Sequence, residues 1–467
     1  MYDWNNRKVL VLGLGDTGLS MTRWLARHGA VVSVADTRAE PPHARALAAE
    51  LPGVRVATGA FDHSLFAHAE AIAISPGIDP RERSIADAVR RGVPMVGDVE
   101  IFASALSGVT HARNAARPKV IAITGSNGKS TVTSMTFEAA RAAGKATIVA
   151  GNIGVPVLDA IAEIENGAAL PDVFVLELSS FQLESTSSLA PDAATVLNVT
   201  EDHLDRYDGM DDYAAAKARV FQGSGVQLLN RDDLRTMSMS RAGRTVVTFG
   251  SGAPRAEGEW GITGNATLAQ GRNEVMAIGE LPVAGLHNAV NALAAFALGA
   301  AIGLDPQAMR EGLRRYRGLP HRLEKIAQVR GVTFYDDSKG TNVGATVAAL
   351  KGMSSPVVLI AGGDGKGQDF SPLAPAVAAK ARAVVLIGRD APRIEAELAG
   401  GKVPLLHART LEEAIDIAYR ASVAGDAVLL SPACASYDMF RSYVHRGEVF
   451  VQAVQALAAR VAAGAQP

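Results

Sequence analysis

Residues 120–131 read VIAITGSNGKST, and the fold turns on how they are read. VIAIT is a short run of β-branched and small apolar residues, the composition of a strand buried on both faces of a parallel sheet. GSNG makes a turn that only small residues close, and from Ser130 onward the sequence is a good helix former. A strand, a glycine turn and a helix start together aim backbone N–H groups at phosphate oxygens. Lys129 adds a point charge, and the Ser130 hydroxyl reaches toward Mg²⁺. The full pattern of such loops asks for glycine five residues before Gly128, where this chain has Ile123. The shorter GxxGKST form keeps every part that touches phosphate. Gly125, Ser126, Asn127, Gly128, Lys129, Ser130 and Thr131 are therefore the candidate ATP loop.

Upstream, the apolar runs KVLVLG (8–13), VVSVAD (31–36) and AIAISPG (71–77) alternate with helical stretches, the rhythm of βαβ units on a parallel sheet. Gly13, Gly15 and Gly18 form a GxGxxG after the first run, and Asp36 closes the second. By rule this is a dinucleotide site with Asp36 on a ribose hydroxyl. The same geometry accepts any nucleotide diphosphate, and packing glycines also produce it, so the residues leave three readings open. Residues 107–119 (SGVTHARNAARPK) are polar, lack apolar periodicity and end near a proline, which predicts a surface loop.

Downstream, VFVLELSS (173–180) and TVLNVT (195–200) each end in polar residues, where open α/β sheets place their ligands. Glu177 sits inside an apolar run, and an unpaired buried charge is costly, so it has a cation for company or lies at the open strand end. His203, in NVTEDHLDRY, is either a solvated cap or, with Glu177, a Mg²⁺ site beside the phosphate loop. By composition Lys217 is an ordinary exposed helix lysine. Residues 249–285 break into short pieces separated by Gly and Asn, which predicts a small antiparallel excursion. Asn288 and Asn291 share one face of the helix that follows, as adenine contacts or as caps. A third α/β series follows Gly318, with strands beginning at Val357, Ala383 and Ala427. LPHRLEK supplies Arg322, DDSKGTN supplies Asp337, Lys339 and Thr341, and GGDGK supplies Lys366; the cations among them, following Gly-rich turns, suit anionic substrates. Cys434 has no activating histidine near it in sequence and reads as a packing residue.

The chain has 467 residues, about three domains of roughly 150 residues each. The expected limits are 1–98, 99–318 and 319–467. A formal charge of −2 argues against a nucleic-acid partner. No apolar run approaches the ~20 residues of a membrane span, and MYDWNNRK lacks the n- and h-regions of a signal peptide. A cytoplasmic, monomeric enzyme is the expectation.

TGSNGKST, GNIG, LELSSFQLE, LNVTEDHLDRY, GLHNAVNALAA, GLPHR, DDSKGTNVGAT, GGDGKG and SPACAS occur in this order. Together they resemble the Mur ligases of peptidoglycan synthesis, from Lys8 almost to the C-terminus. The resemblance implies an α/β protein of three domains: a Rossmann-like N-terminal one, a P-loop central one with a small antiparallel sheet, and a Rossmann-like C-terminal one. It also implies ATP-dependent amide formation through an acyl phosphate, with D-glutamate joined to UDP-N-acetylmuramoyl-L-alanine. The first domain would then hold UDP, not NAD, through Thr17, Asp36, Thr37, Arg38 and Gly77, with Asn152, Ser179 and Gln182 at the muramoyl-alanine end. Lys129 and Ser130 would serve the β and γ phosphates. Ser130 with Glu177 would hold one Mg²⁺, and His203 with Lys217 a second, Lys217 as its carbamate. Asn288, Asn291 and Asp337 would meet ADP, Arg322 would clamp phosphate, and Lys339, Thr341, Lys366, Ser436 and Tyr443 would meet D-glutamate. The chain departs from the family at Asp16, where an apolar residue is expected, at Tyr443, where Phe is frequent, and in a His203–Lys217 spacing one residue short.

Overall fold

The computed structural model describes residues 3–283 and 285–464. The first sheet holds β1 (Lys8–Leu12), β2 (Val31–Asp36), β3 (Arg55–Thr58), β4 (Ala71–Ile74) and β5 (Met95–Val96). Its order is β3-β2-β1-β4-β5, all parallel. Strand order therefore reverses between β1 and β4, and the loops leaving those two strands flank a crevice of the kind that binds ligands.

The second sheet holds β6 (Lys119–Thr124), β7 (Thr147–Gly151), β8 (Val173–Glu177), β9 (Ala193–Val196), β10 (Val226–Asn230), β11 (Val246–Phe249), β12 (Glu259–Ile262), β13 (Thr267–Gln270) and β14 (Asn273–Ala277). Its order is β14-β13-β12-β11-β10-β9-β6-β8-β7. From β7 to β12 it is parallel, with helices covering it and β8 and β9 buried throughout. The antiparallel excursion expected near 249–285 is the meander β12-β13-β14, which continues the same sheet rather than standing apart.

The third sheet holds β15 (Glu324–Val329), β16 (Val332–Asp336), β17 (Val357–Gly362), β18 (Ala381–Ile387), β19 (Leu405–His407) and β20 (Ala427–Leu430), ordered β15-β16-β20-β17-β18-β19. The edge hairpin β15-β16 was not legible in the sequence. Its two-residue turn, Arg330-Gly331, has positive φ at both positions, the hairpin turn whose twist matches the strands.

One expectation is corrected here. Residues 107–112 do not form a loop but complete the helix Asp98–Ala112. Ile101, Phe102, Ala105 and Leu106 give it a buried face, and the Thr110 hydroxyl returns to the Leu106 carbonyl, so packing carries the helix through a stretch without apolar periodicity of its own.

The chain divides into two compact units. One runs through Asn198 and then takes Asp212–Ala277 and Ala292–Arg315; the other takes Val199–Asp211, Ile278–Asn291 and the chain from Tyr316. Among the described residues no helix is long and apolar enough to cross a membrane.

Candidate active site

In the first unit, a cavity of about 900 Å³ opens beside the β1 and β4 loops and is lined also by residues at and after the ends of β7 and β8. Thr17, Asp36, Thr37, Arg38, Gly77, Asn152 and Gln182 all line it, as does Asp16. Ser179 does not; it caps the short helix Ser180–Glu184 and bonds to Gln182. Gly13 has φ +86, and a Cβ on Gly18 would fall 1.8 Å from the Gly13 carbonyl oxygen, so backbone conformation and crowding fix these two glycines, whereas a Cβ on Gly15 would meet nothing within 4 Å. Asp36 is buried and committed to the protein. One carboxylate oxygen accepts from the Leu14 N–H (2.7 Å), and both accept from Arg38. The Arg38 guanidinium holds the Asp36 carboxyl down at about 2. Asp16 begins the helix Asp16–Arg27 and meets His43 Nε2 at 2.7 Å, which gives this departure from the family pattern a partner on the cavity wall.

The loop after β6 is built differently. Gly128, at φ +83, is the N-cap of the helix Lys129–Ala142. Lys129 Nζ turns back to the carbonyls of Gly125 (2.8 Å) and Ser126 (3.0 Å). Ser130 and Thr131 are buried in the first turn. Asn198, at the end of the neighbouring β9 path, clamps the loop: its Oδ1 accepts from the Asn127 N–H and its Nδ2 donates to the Asn127 carbonyl. Sequence reasoning passed over Asn198, although its place just beyond a strand adjacent to β6 was the available signal.

Glu177 joins the two features. It ends β8, paired in register with Ile123 of β6, and it is 1% exposed. Asn152 Nδ2, on the cavity wall, donates to Glu177 Oε1 at 2.8 Å. Glu177 Oε2 is buried with no hydrogen-bond partner among the described residues. Glu177 thus lies at the open strand end, and an orphan carboxylate oxygen there is unusual enough to require a reason. Lys217 is corrected outright: it is 1% exposed, not a surface lysine. The helix Met210–Ala218 packs it inward, with Nζ 3.0 Å from the Gly125 carbonyl and 4.3 Å over the Tyr213 ring.

The second unit holds the remaining candidates. His203 has φ +56 and lies 3.6 Å from Asp202, which also pairs with Lys366 and accepts from Asn342. Asp337 is buried and pushed up to about 7 by that burial, even with the Ser431 hydroxyl donating to it at 2.7 Å and Arg322 nearby. Asn291 lies 3.5 Å from Asn288 on one helical face. Lys339 sits 3.6 Å over the ring of Tyr443. Ser436 is buried and Thr341 half-buried. Cys434 is fully buried and its thiol is pushed up to about 12 by burial, as a packing residue should be. Arg446, which the sequence reading missed, is 1% exposed and donates to the carbonyls of Ser338 and Cys434, tying the β16 and β20 loops together.

A strand, glycine turn and helix start on a mostly parallel sheet, with a crevice where the first sheet reverses its strand order and a third α/β sheet later in the chain, fit the Mur ligase resemblance, and the family profiles agree. The Mur ligase MurD-like N-terminal domain matches residues 7–97, the Mur ligase middle domain 123–299, and the Mur ligase glutamate ligase domain 321–434. The chain belongs to the Mur ligase family, whose members use ATP. It is 58% identical over 464 residues to UDP-N-acetylmuramoylalanine--D-glutamate ligase of Thiobacillus denitrificans, covering 98% of each chain. It is 55% identical to the protein of the same name from Methylobacillus flagellatus, covering 97% of this chain and 98% of that one. In fold it resembles a pseudomurein peptide ligase type C from Methanothermus fervidus (TM-score 0.60, 18% identity, 97% of this chain and 100% of that one). It also resembles the UDP-N-acetylmuramate-alanine ligase of Thermotoga maritima (TM-score 0.58, 19% identity, 96% and 99%).

Proposed function

We propose that this chain joins D-glutamate to the alanyl carboxylate of UDP-N-acetylmuramoyl-L-alanine, with ATP converted to ADP and phosphate. The observation that carries this reading is the Asn152–Glu177 contact. It links a cavity lined by Thr17, Asp36, Thr37, Arg38, Gly77 and Gln182 to a carboxylate paired with the phosphate-loop strand. A substrate whose UDP fills the crevice would extend its acyl end toward the γ-phosphate of ATP held on residues 125–131.

A free carboxylate does not react usefully with an amine in water. Here the carboxylate oxygen attacks the γ-phosphorus, ADP leaves with the bonding pair, and an acyl phosphate forms. The D-glutamate amine, having lost its proton, then attacks the acyl carbon, and inorganic phosphate departs as the amide forms. Two anions meet in the first step, so the protein's work is alignment and charge neutralisation. Lys129 and Arg322 supply fixed positive charge. Asn288, Asn291 and Asp337 are the proposed ADP contacts, and Lys339, Thr341, Lys366, Ser436 and Tyr443 the proposed D-glutamate contacts.

The donor set fits a hard cation. Glu177 Oε2 is a buried oxygen without a partner and Ser130 offers a hydroxyl, the oxygen ligands Mg²⁺ prefers. Mg²⁺ there would neutralise charge between the reacting oxygens. His203 and Lys217 are proposed for a second ion. An ammonium has donors only, so Lys217 fits that role only after its amine takes up CO₂ and loses a proton to become a carbamate. Domain limits at 98/99 and 318/319, action as a monomer, and a cytoplasmic setting belong to the same proposal; the three separate sheets support the limits, and sedimentation would test the monomer.

The decisive assay is phosphate release from ATP that needs both UDP-N-acetylmuramoyl-L-alanine and D-glutamate. Release indifferent to D-glutamate, or tight binding of reduced NAD at the GxGxxG, would overturn the reading.

A further inference from the structure

Asp98 is the first residue of the helix Asp98–Ala112 and belongs to no group assigned above. Its side chain is buried, with Oδ2 accepting from Gln182 Nε2 at 3.0 Å and Oδ1 lacking a hydrogen-bond partner among the described residues. Burial pushes the carboxyl up to about 6. A buried carboxylate with an orphan oxygen costs stability rather than supplying it, so holding the helix start does not explain it.

Its partner is informative. Gln182 lines the cavity while being almost fully buried. Its Oε1 accepts twice, from the Ser179 N–H (3.1 Å) and the Ser179 hydroxyl (3.2 Å). A side-chain amide has two acceptor sites on oxygen and two donors on nitrogen. With both acceptor sites filled by Ser179 and one donor given to Asp98, a single N–H donor is left. We infer that Asp98 is a positioning residue of the UDP-substrate site: it fixes the Gln182 amide so that the cavity is offered a hydrogen-bond donor. The ligand group this suits is an acceptor, a carbonyl or carboxylate oxygen at the acyl end of the substrate. A carboxylate at position 98 enforces that orientation because it can only accept; the flipped amide would set two oxygens against each other.

The inference rests on the proposed function, and its test separates the two. Calorimetric binding of UDP-N-acetylmuramoyl-L-alanine and of ATP is measured for the wild-type protein, Asp98→Ala, Asp98→Asn, Gln182→Ala and the double variant Asp98→Ala/Gln182→Ala. Asp98→Ala is expected to weaken the UDP substrate about tenfold, the loss of one hydrogen bond's worth of affinity, and to leave ATP unchanged. Asp98→Asn, which keeps an acceptor oxygen, is expected to bind within about threefold of wild type. The double variant is expected to bind like Gln182→Ala alone, because Asp98 acts through that amide. Should Asp98→Ala not fold, Asp98→Ser gives the same reading, since its hydroxyl is too short to span the contact and serine suits a helix start. Unchanged UDP-substrate affinity, equal losses for both ligands, or additive effects in the double variant would each overturn the role of Asp98. A wild-type protein that ignores UDP-N-acetylmuramoyl-L-alanine would instead overturn the proposed function.

Discussion

The loops after β1 and β6 share a design, a strand ending in a glycine turn that opens a helix, yet they carry opposite charge. In the first, Asp36 sends its carboxylate into the loop, takes the Leu14 N–H and is balanced by Arg38, while Asp16 opens the helix. In the second, two cations reach the loop carbonyls alongside the neutral Asn198: Lys129 touches Gly125 and Ser126, and Lys217 touches Gly125. Glycine spacing sets where the backbone can go, and the neighbouring charges set which ligand is welcome. A phosphate chain gains from the second loop. The first already holds a carboxylate against one of its N–H groups, which suits a ligand with neutral, hydroxyl-bearing parts as well as phosphate.

That contrast can be broken at Lys129. Lys129→Ala is expected to lower ATP-dependent phosphate release by about 10³-fold or more, the scale seen when a charge on a transferring phosphoryl group is removed. Binding of the UDP substrate should stay within about twofold, so parallel loss of both in titration calorimetry would show the two loops to be one site. Lys217→Ala is expected to cost nearly as much, about 10²–10³-fold, and small carboxylates added to the buffer should restore part of the rate if a carbamate is the working form. Full activity in that variant would remove Lys217 from the mechanism.

The first loop responds through stability instead. Gly18→Ala forces a Cβ to 1.8 Å from the Gly13 oxygen, and a loss of about 3 kcal/mol in urea unfolding is expected from such overpacking. A midpoint like wild type would mean the loop yields easily and that glycine there serves the ligand rather than packing. The smallest effect belongs to Asp36. Its carboxyl is lowered in the fold from an ordinary value near 3.8 to about 2, so its contribution is present above pH 4 and fades as pH falls through about 2. The Arg38 partner is half exposed, which discounts the gain to about 1 kcal/mol. Asp36→Asn should therefore separate from wild type in thermal unfolding at pH 7 and converge with it only below about pH 2. A gap that persists in acid would assign the loss to packing rather than charge.

Both glycine loops, the repeated strands ending in polar residues and the antiparallel excursion were legible in the sequence because they depend on local periodicity and turn chemistry. The edge hairpin β15-β16 was not: the region after Gly318 was read only for its candidate ligand contacts, and Arg330 in a left-handed turn carries no composition signal. Residues 107–112 misled for a related reason, since their helix is imposed from upstream by a buried apolar face to which they add only Thr110. Asn198 stood in a motif already singled out, but its clamp on Asn127 depends on β9 lying next to β6, a pairing between strands some seventy residues apart in sequence.

Residue types at fixed spacing pointed by themselves to three α/β series and a phosphate-type loop at 124–131, and they marked the GxGxxG at 13–18 as a turn of dinucleotide, other nucleotide or packing type. Those features are written in neighbours along the chain, where sterics and hydrogen bonding act over a few residues. What Lys217, Glu177 and Asp98 are was decided only by the tertiary structure. Burial turns a helix lysine into a group held under the phosphate loop, leaves Glu177 an oxygen without a partner, and sets Asp98 against Gln182. Desolvation and strand order are properties of the packed chain, so no reading of spacing alone could assign them.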